Sequence, residues 1–116
     1  MNPFKQFGQL AGLLQQLPKI KEEMERLQQR LGQLVAEGNA GAGMVTVQVN
    51  GKMEVLSCRL SEEVFRLNDR ELLEDLIRAA TNQALERARQ QASEETGKMA
   101  AGFGLPAGLG LPGMPS

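Results

Sequence analysis

Val45, Val47 and Val49 alternate with Thr46 and Gln48 at period two, and Asn50-Gly51 follows at once. That dipeptide accepts positive φ at both corners of a type I′ turn, so the stretch predicts an antiparallel hairpin returning through Lys52 to Leu60. A two-residue turn opposes Val49 with Lys52, Val47 with Glu54 and Val45 with Leu56. One face then collects Val45, Val47, Val49, Leu56, Cys58 and Leu60. The other mixes Met44, Met53 and Val55 with Thr46, Gln48, Ser57 and Arg59. A lone hairpin is marginal in water, so helices and a second copy of the chain are expected to complete it. The dimer interface is accordingly assigned to Met44, Val45, Val47, Val49, Met53, Val55, Leu56 and Cys58.

Size points the same way. The chain has 116 residues, 41% apolar and 23% charged, an ordinary balance for a folded domain. It lacks Trp and Tyr, and of its four Phe only Phe65 falls in the stretch expected to pack. Roughly 80 packing residues with one aromatic lie near the size at which a single core is marginal, and oligomerisation is a common remedy. The single cysteine excludes an internal disulfide, and on an apolar strand face Cys58 behaves as a small hydrophobe. The absence of histidine removes the usual general base and the commonest metal ligand. Glu74 and Asp75 are helix neighbours about 100° apart and form no catalytic pair. The reading is therefore not an enzyme, with no cofactor, metal or small-molecule substrate. Without a signal-peptide pattern or an apolar run of about 18 residues, a cytoplasmic chain with no membrane partner is expected.

Leu10, Leu13, Leu17, Ile20, Met24, Leu27, Leu31 and Leu34 are spaced three and four apart, the pattern of a coiled-coil seam. Pro18 interrupts it, and a helix that begins at Pro18 resolves the conflict, since proline suits the first helical position. Residues 1–17 then form a frayed basic arm. The helix is expected to end near Glu37, with Gly38 to Gly43 as a left-handed cap and flexible link. Those glycines are not a phosphate loop, because their spacing is wrong, no Lys-Ser/Thr follows, and they lead from helix to strand. Ser61 to Phe65 reads as a helical turn, and Asn68 with Glu71 as the capping start of the last helix. Along that helix Leu73, Leu76, Ile77, Ala80, Ala84 and Ala88 make one stripe, and Thr96-Gly97 marks its end. Beyond lies a tail, residues 98–116, rich in Gly and Pro yet carrying Phe103, Leu105, Leu109, Leu111 and Met114. The expected class is α+β: a long N-terminal helix, an antiparallel hairpin or small sheet, and a C-terminal helix. Residues 18–97 form one α-β-β-α dimerising domain.

Net charge is −1, so any polyanion would have to be met by local patches. Residues 1–21 carry Lys5, Lys19 and Lys21 with no acidic residue. Arg26 and Arg30 continue the stripe, diluted by Glu22, Glu23 and Glu25. Arg78, Arg87 and Arg89 lie along the last helix, and Lys98 follows near its end. Mixed charge of this kind also describes plain solvated helix faces.

The order of helix, glycine-rich link, hairpin and capped helix resembles the YbaB/EbfC family of bacterial nucleoid-associated DNA-binding proteins. Gly38 with Gly41-Ala42-Gly43 before Val45-Thr46-Val47, then Asn50-Gly51, carry the likeness. Leu73-Glu74-Asp75-Leu76-Ile77, Ala79-Ala80-Thr81-Asn82-Gln83-Ala84, Leu105-Pro106 and Met114-Pro115 extend it over residues 17 to 115. The resemblance implies a tweezer-like homodimer sharing a sheet, DNA binding with modest sequence preference, and roles in nucleoid organisation and gene regulation. Under it Lys5, Lys19, Lys21, Arg26, Arg30, Arg78, Arg87, Arg89 and Lys98 are the candidate contacts to duplex phosphates, in the bacterial cytoplasm at the nucleoid. The alternative is a non-enzymatic protein-interaction module that uses the Leu10 to Leu34 seam and the apolar tail.

Overall fold

Ala80, Ala84 and Ala88 recur along one face of α3 (Arg70–Gly102), and with nothing beyond Cβ they let a sheet lie directly on the helix backbone. The computed structural model describes the backbone of residues 3–104 and the side chains of residues 11–104 apart from residue 13. Its sheet has the order β1-β2-β3, from β1 (Val35–Ala40), β2 (Val45–Asn50) and β3 (Val55–Leu60), all antiparallel. A long helix α1 (Pro3–Gln33) precedes it, and a short α2 (Glu62–Arg66) joins β3 to α3. The class is α+β, with the helix, antiparallel sheet and C-terminal helix that the sequence predicts.

The valine row is where the packing differs from expectation. Val45, Val47 and Val49 are 0% exposed, and they are sealed by the alanines of α3 in their own chain. At about 1.5 to 3 kcal/mol for each such side chain, this ridge is a substantial core that needs no second copy to cover it.

The first half of the region read as a flexible glycine link, Gly38 to Ala40, is instead the end of strand β1. A Cβ on Gly38 would lie 2.1 Å from the carbonyl oxygen of Ala80 and 2.5 Å from the amide nitrogen of Ala84. Glycine is there because strand and helix touch, and α1 correspondingly ends at Gln33 and not near Glu37. The turn between β1 and β2 is made by Gly41, Ala42 and Gly43, all in the left-handed region at φ 65°, 54° and 88°.

The second turn also departs from the two-residue form. Val45 pairs with Leu60, Val47 with Cys58 and Val49 with Val55, with a bulge after Gln48. Asn50 causes this. Its side-chain oxygen accepts from the amides of Lys52 (2.9 Å) and Glu54 (3.1 Å), so it stabilises a wider loop in which Met53 carries the positive φ. Gly51 donates its N–H to the Leu31 carbonyl at 2.7 Å, and a Cβ there would meet that same oxygen. The wide loop is thus tucked under the end of α1.

Both long helices outrun their expected limits. Pro18 lies inside α1 and does not start it. The carbonyl that its ring displaces belongs to Leu14, an exposed residue, and the flanking residues are strong helix formers. Helix α3 starts from the N-cap Asp69, which accepts from Leu72 N–H at 3.0 Å, while Asn68 takes φ 48° just before it. It runs through Thr96-Gly97 because Thr96, Met99 and Ala100 are buried, and that packing exceeds the roughly 1 kcal/mol cost of a helical glycine. Residues 98–102 of the expected tail are therefore helical, and the rest of it, from residue 105, lies outside the described residues.

Candidate nucleic-acid interface

Leu27 and Leu31 of α1 are buried with Ala92 and Met99 of α3, and Phe103 packs against them. The two helices so joined form an arm that leads away from the sheet. A helix of α1's 31 residues is about 46 Å long at 1.5 Å per residue, so the arm is the largest feature of the molecule.

The arm has two unlike flanks. On one, a groove of about 490 Å³ brings Lys19 and Arg30 of α1 beside Lys98 of α3, with Glu23 and Glu95 as the acidic members of its lining. On the other, Leu14, Leu17 and Met24 are exposed along α1, beside Ile20 and Lys21. The seam read from the sequence is therefore only partly used: Leu27 and Leu31 are buried, whereas Leu17 and Met24 face outward. Leu10 and Leu13 fall outside the residues whose side chains are described.

The candidate cations differ in how free they are. Arg26 is bonded to Glu23, Arg78 to Asp75 at 3.3 Å, Arg89 to Glu86 at 2.6 Å, and Lys98 to Glu95 at 3.6 Å. Each is a surface pair one helical turn apart, with little net energy, so the acidic neighbour lowers the local charge without holding the cation in place. Arg87 donates from Nη1 to the Glu37 carbonyl of β1 at 2.7 Å. Lys19, Lys21 and Arg30 have no acidic partner within salt-bridge distance among the described residues. The side chain of Lys5 lies outside the described residues.

Four further exposed cations were not among the candidates, and two of them, Arg66 and Arg70, are paired with Glu62 at 3.5 Å and Glu74 at 3.0 Å. Arg59 stands on the sheet face away from α3, where Thr46 bonds Asn39 at 2.9 Å and Ser57 bonds Gln48 at 3.3 Å. The stem of Lys52 crosses Gly32, with Cε 3.5 Å from the position of a Cβ, which sets its ammonium by the negative C-terminal end of α1. The sequence marks Arg59 by its period-two place opposite the valines. Nothing local marks Lys52, because its site depends on the loop folding back onto α1.

The interface candidates separate as well. Val45, Val47 and Val49 are enclosed, and Met44 is half-buried. Met53, Val55, Leu56 and Cys58 are exposed. Helix α3 packs over β1 and β2, which leaves the apolar side chains of β3 overhanging at the end of the sheet. Phe65 in α2 and Leu67 just after it are also exposed, 60% and 50%. Among the described residues no group of three or more metal-binding side chains occurs, and no helix is long and apolar enough to cross a membrane.

Comparison with known proteins places these features in a family. A model of the YbaB/EbfC DNA-binding family matches residues 6–103. A nucleoid-associated protein of Syntrophobacter fumaroxidans is 42% identical over 101 residues, 87% of this chain and 91% of the relative. One from Bacillus thuringiensis is 39% identical over 102 residues, 88% and 94% of the two chains. The crystal structure of an uncharacterized Helicobacter pylori protein superposes with a TM-score of 0.66 at 25% identity, covering 80% of this chain and 95% of that one.

Proposed function

The chain belongs to the YbaB/EbfC DNA-binding family, and from that premise we propose that it is a bacterial nucleoid-associated protein that grips duplex DNA as a homodimer. Contact is mainly to phosphates, and the protein's roles lie in nucleoid organisation and gene regulation, in the cytoplasm at the nucleoid. The observation that carries the reading is the arm: Lys19, Lys21 and Arg30 lie along it without acidic partners among the described residues, and Lys98 joins two of them across a groove. Free cations on a long projection suit a sequence-tolerant polyanion, since affinity for duplex comes chiefly from neutralised phosphates.

Pairing through β3 supports the homodimer. An edge strand with exposed Val55, Leu56 and Cys58 favours strand addition by a second copy, which joins two sheets and projects two arms from one body. Duplicating a near-neutral chain doubles each patch, and linked sites bind one duplex with an avidity neither has alone.

The exposed flank of Leu14, Leu17 and Met24 favours a second reading, in which the arm docks a protein partner. Salt separates the two. Duplex affinity is expected to fall steeply as salt rises, and Lys19→Ala/Lys21→Ala/Arg30→Ala to weaken all sequences about equally and flatten that slope by up to three phosphate contacts. A chain that shifts no duplex even at about 50 mM salt, where counterion release favours binding most, would rule out the DNA reading. A partner captured at high salt would support the second.

A further inference from the structure

The two edges of the sheet are treated differently. Asn39 stands opposite Thr46 in the β1–β2 pairing, yet its N–H donates to Oε1 of Gln83 at 2.7 Å. Glu37, two residues earlier on the same side of the strand, gives its carbonyl to Nη1 of Arg87 at 2.7 Å. Backbone groups of alternate strand residues point the same way, so both contacts lie on the outer edge of β1. Gln83 and Arg87 are one helical turn apart on α3, which the absence of a side chain at Gly38 brings close enough to β1 for both to reach.

At the other edge the pattern is reversed. Ser61 N–H donates to the Met44 carbonyl at 2.9 Å, which fixes Thr46 and Gln48 as the β2 residues bonded to Arg59 and Ser57. Cys58 and Leu60 consequently turn their backbone groups outward. Among the described residues nothing bonds them.

We propose that Gln83 and Arg87 cap the β1 edge and thereby confine self-association of this chain to its β3 edge. A sheet with two open edges can add copies without end, whereas one capped edge and one open edge close at a dimer. Arg87 then serves assembly more than DNA contact. The inference rests on the reading of β3 as the pairing edge.

The test is Gln83→Leu/Arg87→Met, which keeps the apolar bulk of both side chains and removes both polar contacts. Sedimentation velocity on the full chain over a concentration series is expected to show the variant's mass climbing above that of wild type. Gln83→Glu, which retains an acceptor for Asn39, is expected to match wild type. In the wild-type chain, amide exchange is expected to be slower at Asn39 than at Glu37, whose N–H has no partner among the described residues. Superimposable mass distributions for double variant and wild type, or equal exchange at the two amides, would overturn the cap. So would unfolding of the double variant in circular dichroism, since the pair would then hold the fold and not limit assembly. A wild-type monomer in the same runs counts against pairing at β3, while the cap is still judged by the mass the variant gains.

Discussion

Gly38 has the least room for a side chain of any glycine among the described residues. A methyl group there must displace the Ala80 carbonyl or the Ala84 amide, both backbone atoms of a helix, so β1 has to lift off α3. Gly38→Ala is therefore expected to cost about 3 kcal/mol or more, at or beyond the upper end for overpacking, read as a lower urea midpoint. An unchanged midpoint would mean the strand shifts freely. The sequence displays the glycine but not the reason for it, because the atoms that demand it lie far along the chain. Its neighbours Gly41 and Gly43 do take left-handed φ, as a link glycine should, so like residues side by side answer to unlike constraints. Asn50 misleads in a related way. It belongs to a dipeptide with a strong turn preference, but its side chain, bonded to Lys52, Glu54 and the Glu54 carboxylate (2.9 Å), overrides that preference.

Among the elements, those legible in the sequence are the ones whose pattern is self-contained. The valine row of β2 and the alanine stripe of α3 each announce both a structure and a buried face. Strand β1 does not: Val-Ala-Glu-Gly-Asn-Ala has one β-branched residue, and it is a strand because β2 pairs with it and α3 lies against it. Helix boundaries fail for the same reason, since burial of Met99 and Ala100 carries α3 past its glycine. In α1 the interruption at Pro18 is tolerated at a standing cost of up to about 3 kcal/mol relative to alanine. Pro18→Ala is expected to slow amide exchange over residues 11–17 while leaving Leu27 and Leu31, already held by α3, nearly unchanged. Equal exchange in the two proteins would show that the proline is not what loosens this half of the arm.

At the scale of the whole molecule, the sequence suggests an association through the hairpin, and only part of the surface it names is still open. A shortage of apolar bulk argues for a partner that covers the valines, but α3 covers them, and what is left for a partner is the rim: β3 with its overhanging side chains, and Phe65 beyond it. The charge follows the same logic only at Arg87, whose contact with the Glu37 carbonyl forms once helix and strand are placed, whereas the ion pairs lie within single helices. A rim interface can be broken without breaking the core. The N–H of Cys58 points away from β2, so Cys58→Pro leaves the internal ladder intact and sets a proline ring on the outer edge, where edge strands tolerate it. The variant is expected to stay folded, to sediment as a single chain, and to bind duplex more weakly as linked arms become separate ones, with avidity losses of order tenfold or more. A folded variant that keeps the wild-type mass would place the seam elsewhere than β3. One that becomes monomeric yet binds duplex as before would make a single arm sufficient for the grip.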